Sequence, residues 1–277
     1  MKEISLEGRC ILVTGASRGI GRAAAVLLSR AGGRVAIHYH ENESSARETL
    51  EECRDALAER KSSRGEPATF RADMRVEPAI FRADMSRPEE VRSLVEQVQR
   101  EMGAIHVLVN NAGIYRDNPF DEPDWNRWVE EWRTMIDVNL MGPAHAIWCV
   151  LPQMKQRGEG RIINIVSRAA FRGEVNGPDY GATKAALVNL TRSLARAMGP
   201  FGIVASCVAP GWVETEMASA TLDSDPALRE MATREVPLGR IATPEDVAGA
   251  ILYLASPLGA YLNGVCIPVN GGSFLHS

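Results

Sequence analysis

The chain has 277 residues, 45% of them hydrophobic and 24% charged, which suits one large α/β domain or two small ones and is ordinary for a soluble globular protein. A net charge of −4 and a pI near 5.8 give no electrostatic footprint for nucleic acid or an anionic membrane. Five cysteines without a CxxC pair, five histidines without HxxxH or HExxH spacing, and no apolar run of spanning length argue against a disulfide framework, a zinc site and a membrane span. We expect a cytoplasmic protein, because the first strand begins too early to leave room for a signal peptide.

Short β-branched apolar runs alternate with longer amphipathic stretches. Strands are predicted at 9–14, 34–39, 105–109, 161–166, 203–208 and 265–269, and helices near 19–32, 43–60, 87–102, 123–155, 178–199 and 244–256. Strands apolar on both faces and separated by helices imply parallel βαβ units. The expected fold is α/β, a doubly wound parallel (Rossmann-like) sheet forming a single domain over 1–277 with helices on both faces. Residues 212–243, interrupted by Pro226 and Pro237, break this rhythm and are expected to form a substrate lid.

The first predicted strand runs into Thr14-Gly-Ala-Ser-Arg-Gly-Ile-Gly21. Glycines between a first strand and a first helix let the backbone turn tightly and approach a pyrophosphate at the positive helix end. The second strand ends Ile37-His-Tyr-His40, without the acid that would hold the ribose 2′-OH of NAD. With Arg18 nearby as a cation, NADP(H) is expected in preference to NAD(H). His40 is a second candidate for the 2′-phosphate, its alternative being a plain strand-end surface histidine.

Tyr180 and Lys184 stand four apart, on one face of a predicted helix; five tyrosines and four lysines give only ~0.07 chance YxxxK matches in this chain. Ser167 ends the strand RIINIVS, and Asn139 lies in the preceding long helix. Together with TGASRGIG (14–21), NNAG (110–113), APG (209–211), Thr215 and the closing YLNGVCIPVNGG, this pattern resembles the short-chain dehydrogenase/reductase family over essentially the whole chain. The resemblance implies that Tyr180 is the proton donor, its pKa lowered by Lys184 and by the positive nicotinamide of the oxidised cofactor, and that Lys184 also grips the nicotinamide ribose. It also implies that Ser167 holds the substrate oxygen and that Asn139 orients a water linking Lys184 to solvent. For the cofactor it implies contacts from Gly15, Ser17, Arg18, Gly19, Ile20, Gly21 and His40. Further contacts are implied for Asp84, Met85, Asn111, Ala112, Gly113, Tyr180, Lys184, Pro210, Gly211, Val213 and Thr215. Asn270, where the family often has Asp, is expected at a subunit contact.

One stretch is written nearly twice: PATFRADM (67–74) and PAIFRADM (78–85). The second copy runs into Ser86-Arg-Pro-Glu89, which reads as a capping box opening the next helix. The third strand is therefore predicted at 79–84, beside the first strand, with Asp84 as the adenine contact. Residues 67–77 are then a duplicated surface insertion.

Within the family the pattern is closest to bacterial 3-oxoacyl-(acyl-carrier-protein) reductases, so a 3-oxoacyl thioester and an acyl carrier protein are the first candidates for substrate and partner. The helix after YxxxK ends AMGPFG, without the base those reductases offer an acidic carrier; Arg157, Arg168 and Arg172 are candidates to compensate. The alternatives are a free small ketone, sugar or polyol as the carbonyl or alcohol substrate, and a non-catalytic NADP-binding regulator. The family also implies a homotetramer, for which the apolar run Trp148-Cys-Val-Leu151 is the sequence's own hint.

Overall fold

The computed structural model describes residues 4–63, 77–222 and 226–275. Seven strands make one parallel sheet: β1 (Cys10–Val13), β2 (Arg34–Tyr39), β3 (Ala79–Arg82), β4 (Ile105–Asn110), β5 (Gly160–Ile165), β6 (Ile203–Pro210) and β7 (Cys266–Val269). Their spatial order is 3-2-1-4-5-6-7. The helices are α1 (Gly19–Arg30), α2 (Glu43–Ser63), α3 (Pro88–Met102), α4 (Trp125–Ile136), α5 (Gly142–Arg157), α6 (Ala169–Arg172), α7 (Pro178–Met198), α8 (Glu216–Leu222), α9 (Pro226–Arg234) and α10 (Pro244–Ala255).

The two-residue period of a strand sends Ile11 and Val13 into one layer, with α1, α2 and α10, and Cys10 and Leu12 into the other, with α3, α5 and α7. Because both faces are covered, every residue of β1 is apolar and fully buried. Burying one such leucine or isoleucine contributes roughly 1.5–3 kcal/mol.

The second copy of the repeat supplies β3, but β3 pairs with β2 at the sheet edge rather than with β1. The expected insertion at 67–77 lies, except for Glu77, outside the described residues. The capping box is not formed either. Pro88 takes the first helical position and moves the cap to Arg87, which has no side-chain capping bond. Ser86 instead donates its hydroxyl to Asp84 Oδ1 at 2.7 Å, and Glu90 reaches back to accept from the Asp84 amide at 2.8 Å.

The helix expected at 123–155 is broken. A π turn, Asp137–Met141, separates α4 from α5. Pro143 has no N–H to return to the carbonyl of Asn139 four residues back, so the α-helical ladder fails there. Gly142 adds to this, since a Cβ at that position would lie 2.7 Å from the Met85 carbonyl oxygen.

Candidate active site

The carboxyl ends of β1 and β4 diverge where the strand order reverses, and this crevice is where a parallel sheet offers a ligand site. The glycine loop lines it. Gly15 and Gly19 have φ of +62° and +53°, in the left-handed region. A Cβ on Gly15 would lie 2.8 Å from Ala112 Cα, and one on Gly19 3.1 Å from Thr215 Cγ2. A Cβ on Gly21 would collide with the Gly15 carbonyl. The loop is therefore closed against both Asn111-Ala112 and the segment after β6. Asn111 fixes it by donating to the carbonyls of Thr14 (3.0 Å) and Gly15 (2.9 Å), while Thr14 Oγ1 accepts from the amides of Asn111 and Ala112, both at 3.0 Å. The N-terminus of α1 has no side-chain cap and no acid in its first turn. Its free N–H groups and dipole suit the pyrophosphate of a dinucleotide, and the residues present fit one.

The remaining expected cofactor residues divide. Gly211 is pressed against Asn270, Val213 is buried and bridged to Ala242, and Pro210 ends β6. Ser17 offers its carbonyl to the Thr49 hydroxyl at 3.3 Å, and Ile20 packs on the core. The Met85 side chain is buried in the core. Arg18 is exposed, and no carboxylate among the described residues pairs with it. His40 is half-exposed at the end of β2, 3.8 Å from each of Glu41 and Asp84. Burial works to raise the Asp84 carboxyl, but bonds from the Ser86 hydroxyl and amide, with His40 and Arg87, hold it below the ordinary value.

Between β4, β5 and α7 the four expected catalytic residues converge. Tyr180 and Lys184 share a face of α7, and the Lys184 Nζ stands 5.6 Å from the Tyr180 ring centre. Ser167 lies close enough to the Tyr180 phenol to lower its pKa, and the Ser167 hydroxyl accepts from the Ala169 amide at 3.1 Å. Lys184 is buried and donates to the Ile165 carbonyl at 3.0 Å; burial brings its pKa down to about 8. A Cβ on Gly113 would lie 3.1 Å from Asn139 Oδ1 and 3.4 Å from Lys184 Nζ, so glycine there lets the two approach. The Asn139 side chain is fully engaged, accepting from the Ile114 amide at 2.9 Å and donating to the Ile114 carbonyl at 2.9 Å. The Asn139 backbone carbonyl is the one to which Pro143 has no N–H to return.

Among the chain's own groups, burial raises the Tyr180 pKa, outweighing the nearby Ser167 that lowers it, with Glu174 adding to the rise. The ammonium lies over the ring face and is bonded to Ile165, and burial is the larger effect.

Several residues that the sequence did not flag complete the site. His38 is buried, accepts from the Gly15 amide at Nδ1 (2.9 Å), and stands 3.0 Å from the Ala83 carbonyl at Nε2. It is the neutral Nε2–H tautomer, and it ties the glycine loop to the end of β3. The Tyr115 ring packs edge-on to Tyr180 at 5.2 Å, and its hydroxyl donates to Asp117. Asp179 is buried, accepting from Asn118 at 2.9 Å and from the Tyr180 amide at 2.8 Å. A cleft of about 700 Å³ opens beside them, lined by Phe120, Arg172, Glu174 and Val175. No single-residue signal marks these side chains, since each acts through a partner distant in sequence. Asn270, expected at a subunit contact, is buried and spends its amide within the chain on Phe274 and Gly272.

Comparisons with known proteins agree with this geometry. A family model described as enoyl-(acyl carrier protein) reductase matches residues 15–273. The 3-oxoacyl-(acyl-carrier-protein) reductase FabG of Vibrio cholerae is 34% identical over 98% of this chain and 100% of its own. FabG of Staphylococcus epidermidis is 34% identical over 95% of this chain and 98% of its own. A solved structure described as an NAD(P)-dependent gluconate 5-dehydrogenase from Beutenbergia cavernae, with bound NADP, superposes with a TM-score of 0.84. It is 32% identical, and 98% of each chain is covered. The chain belongs to the short-chain dehydrogenase/reductase family and is an oxidoreductase of that family.

Proposed function

We propose that the protein moves hydride between NADP(H) and a carbonyl or secondary alcohol, with Tyr180 transferring the proton. The observation that carries this is the placement of Tyr180 one helical turn from the buried Lys184 and beside Ser167, at the crevice that the glycine loop closes. A bound nicotinamide supplies or accepts the hydride. Tyr180 gives its phenolic proton to the substrate oxygen in reduction and takes the alcohol proton in reverse. Ser167 holds that oxygen, and its place beside Tyr180 keeps donor and acceptor within reach. Lys184, already partly desolvated, replaces the lost proton through water at the Asn139 carbonyl. The site residues for the cofactor are those of the glycine loop, Asn111-Ala112-Gly113, Asp84 and the 210–215 segment.

NADP(H) is preferred because β2 ends without an acid and Arg18 stands free beside it, while Glu41 and Asp84 near His40 moderate that preference. A 3-oxoacyl thioester is the first substrate class to try, since FabG relatives carry that activity in their names. A free ketone, sugar or polyol is favoured by a specific observation. Arg157 turns inward to the Ile105 carbonyl at 2.6 Å, and Arg168 is 5% exposed and paired, so neither is offered to a carrier protein. Arg192 and Arg196, exposed near the end of α7, are the remaining bases there. The segment 212–243 serves as the substrate lid, 67–77 as a duplicated insertion, and the protein works as a homotetramer in the cytoplasm. Exposed Trp148 on α5 supports the assembly.

The test is loss of reduced-nicotinamide absorbance with acetoacetyl-CoA, an acetoacetyl carrier protein and a panel of free ketones and polyols. Turnover of thioesters alone supports the first class, and turnover of free carbonyls alone supports the second. No turnover of any of them, with intact NADPH binding, returns the regulator reading.

A further inference from the structure

Arg168 follows Ser167 directly and is nearly buried, at 5% exposure. Its amide donates to the Pro210 carbonyl at 3.0 Å, extending the β5–β6 ladder past the strand ends. Its guanidinium then reaches two other segments. Nη1 donates to Ser273 Oγ at 3.1 Å and pairs with Glu235 at 2.9 Å, and the guanidinium carbon sits 5.5 Å from the Trp212 ring centre. Arg172, one turn later, faces the same Glu235 at 3.7 Å.

Glu235 belongs to the excursion between β6 and α10. That excursion is held at its neck by the Val213–Ala242 bridge and has a small core of its own, Leu222, Ala232 and Ile241 with Trp212. Among the described residues, its ion pairs to the β5 side converge on this one carboxylate. The C-terminal turn backs it, since Cβ atoms on Gly271 and Gly272 would press on Val236 and Pro237. A purely mechanical tie at this place could be apolar, as the neighbouring core is. A buried guanidinium facing a partly exposed carboxylate is instead a contact of fixed geometry that leaves a charge unpaired when it opens.

We propose that Arg168 is a positioning residue for the reaction: through Glu235 it couples the seating of the 212–243 segment to the placement of Ser167. The proposal rests on the reading of Ser167 as the group that holds the substrate oxygen.

Wild type, Arg168→Lys, Arg168→Met, Glu235→Gln and the Arg168→Met/Glu235→Gln double variant are compared in NADPH-dependent turnover of the best substrate from the panel. NADPH affinity is read in parallel by fluorescence, and trypsin cleavage at Arg229 and Arg234 is followed with NADPH present. Arg168→Met should lower kcat ~10–100-fold and Glu235→Gln ~5–10-fold, the double variant being no worse than Arg168→Met, with NADPH affinity within ~3-fold. Arg168→Lys should recover part of the lost kcat, and cleavage within α9 should speed up in Arg168→Met and Glu235→Gln. Values of kcat within ~2-fold of wild type with only a lower melting temperature, or additive losses in the double variant, overturn the proposal. If Arg168→Met does not fold, Glu235→Gln, whose site is one-third exposed, decides alone. If wild type turns over nothing, the functional reading has failed, and the trypsin comparison decides the coupling: unchanged cleavage refutes it.

Discussion

On the β4–β5–β6 side of β1, the side chains that matter are buried and bonded to backbone. Lys184 is held by the Ile165 carbonyl and Asn139 by the Ile114 peptide. Behind them Asn110 donates to Asn164 and Asn164 to Thr191, each at 2.8 Å, in the interior. On the β2–β3 side, Arg18 is exposed, and His40 shares a half-exposed strand end with Glu41 and Asp84. The difference fits the roles proposed for the two halves. Proton transfer needs geometry fixed to fractions of an ångström, which buried, fully bonded groups on regular elements supply. Discrimination between two dinucleotides needs only a charge near a phosphate, which solvent-exposed loop residues can provide.

The buried half should therefore fail abruptly when touched. Tyr180→Phe keeps the ring that packs on Tyr115 but removes the proton donor, and kcat should fall ~10²–10⁴-fold. NADPH affinity should stay within a few-fold, because the hydroxyl is not the main cofactor contact. Single-turnover kinetics and NADPH fluorescence separate the two effects. Retention of most of the activity would remove Tyr180 from the mechanism and make the buried half a structural core only.

His38 links the two halves and gives the next largest effect. Burial brings its pKa from 6.5 to about 4, so the folded protein keeps it neutral. Below pH 6.5 the unfolded chain takes up a proton that the folded chain refuses until about pH 4. Stability is thus fully present above pH 6.5 and is lost as the pH falls through that window, by about 3 kcal/mol. Denaturant melts at pH 7 and pH 4.5 should show the loss, and His38→Asn should flatten it. His106, which accepts from the Cys10 amide and is likewise held near 4 by burial and by Arg157, Arg9 and Arg34, should leave a smaller residue of the same slope.

That His38 went unnoticed while His40 was singled out shows what a sequence reading can reach. The strands were legible because apolar β-branched runs are a local signal, and the catalytic four because their residue types and spacing are rare in combination. The position of β3 next to β2, the π turn at Asn139 and the roles of His38 and Arg168 were not. The last two depend on a partner tens of residues away: Gly15 with His38, Glu235 with Arg168. Pro143 was the one local clue to the π turn, and the capping box failed on an equally local one, Pro88.

The exposed half should respond gradually. Wild type should bind NADPH more tightly than NADH by ~1–3 kcal/mol, the range of a charge-assisted contact. Arg18→Ala should remove much of that gap without affecting kcat, measured by titrating both reduced cofactors. Equal affinities in wild type would mean that Glu41 and Asp84, not Arg18, set the field at the end of β2. Salt sharpens the test: an exposed guanidinium is screened, so the gap should narrow as ionic strength rises.

The smallest effect belongs to the repeat. Fifteen residues, 64 to 78, separate α2 from β3, and β3 already uses the second copy. Deleting 67–77 leaves four connecting residues, within the range of about 2–6 common between a helix and the next strand. Each halving of a flexible loop changes its closure entropy by only ~0.6 kcal/mol, so the deletion should be neutral or slightly stabilising. Turnover should be unchanged, because β3, the strand that leads to Asp84, already uses the second copy. The point variants distinguish the copies: Asp84→Ala breaks the Ser86 turn and should weaken cofactor binding, whereas Asp73→Ala should do nothing measurable. Loss of cofactor binding on Asp73→Ala, or failure of the deletion to fold, would show that the first copy is needed by this half of the molecule and that its tolerance ends there.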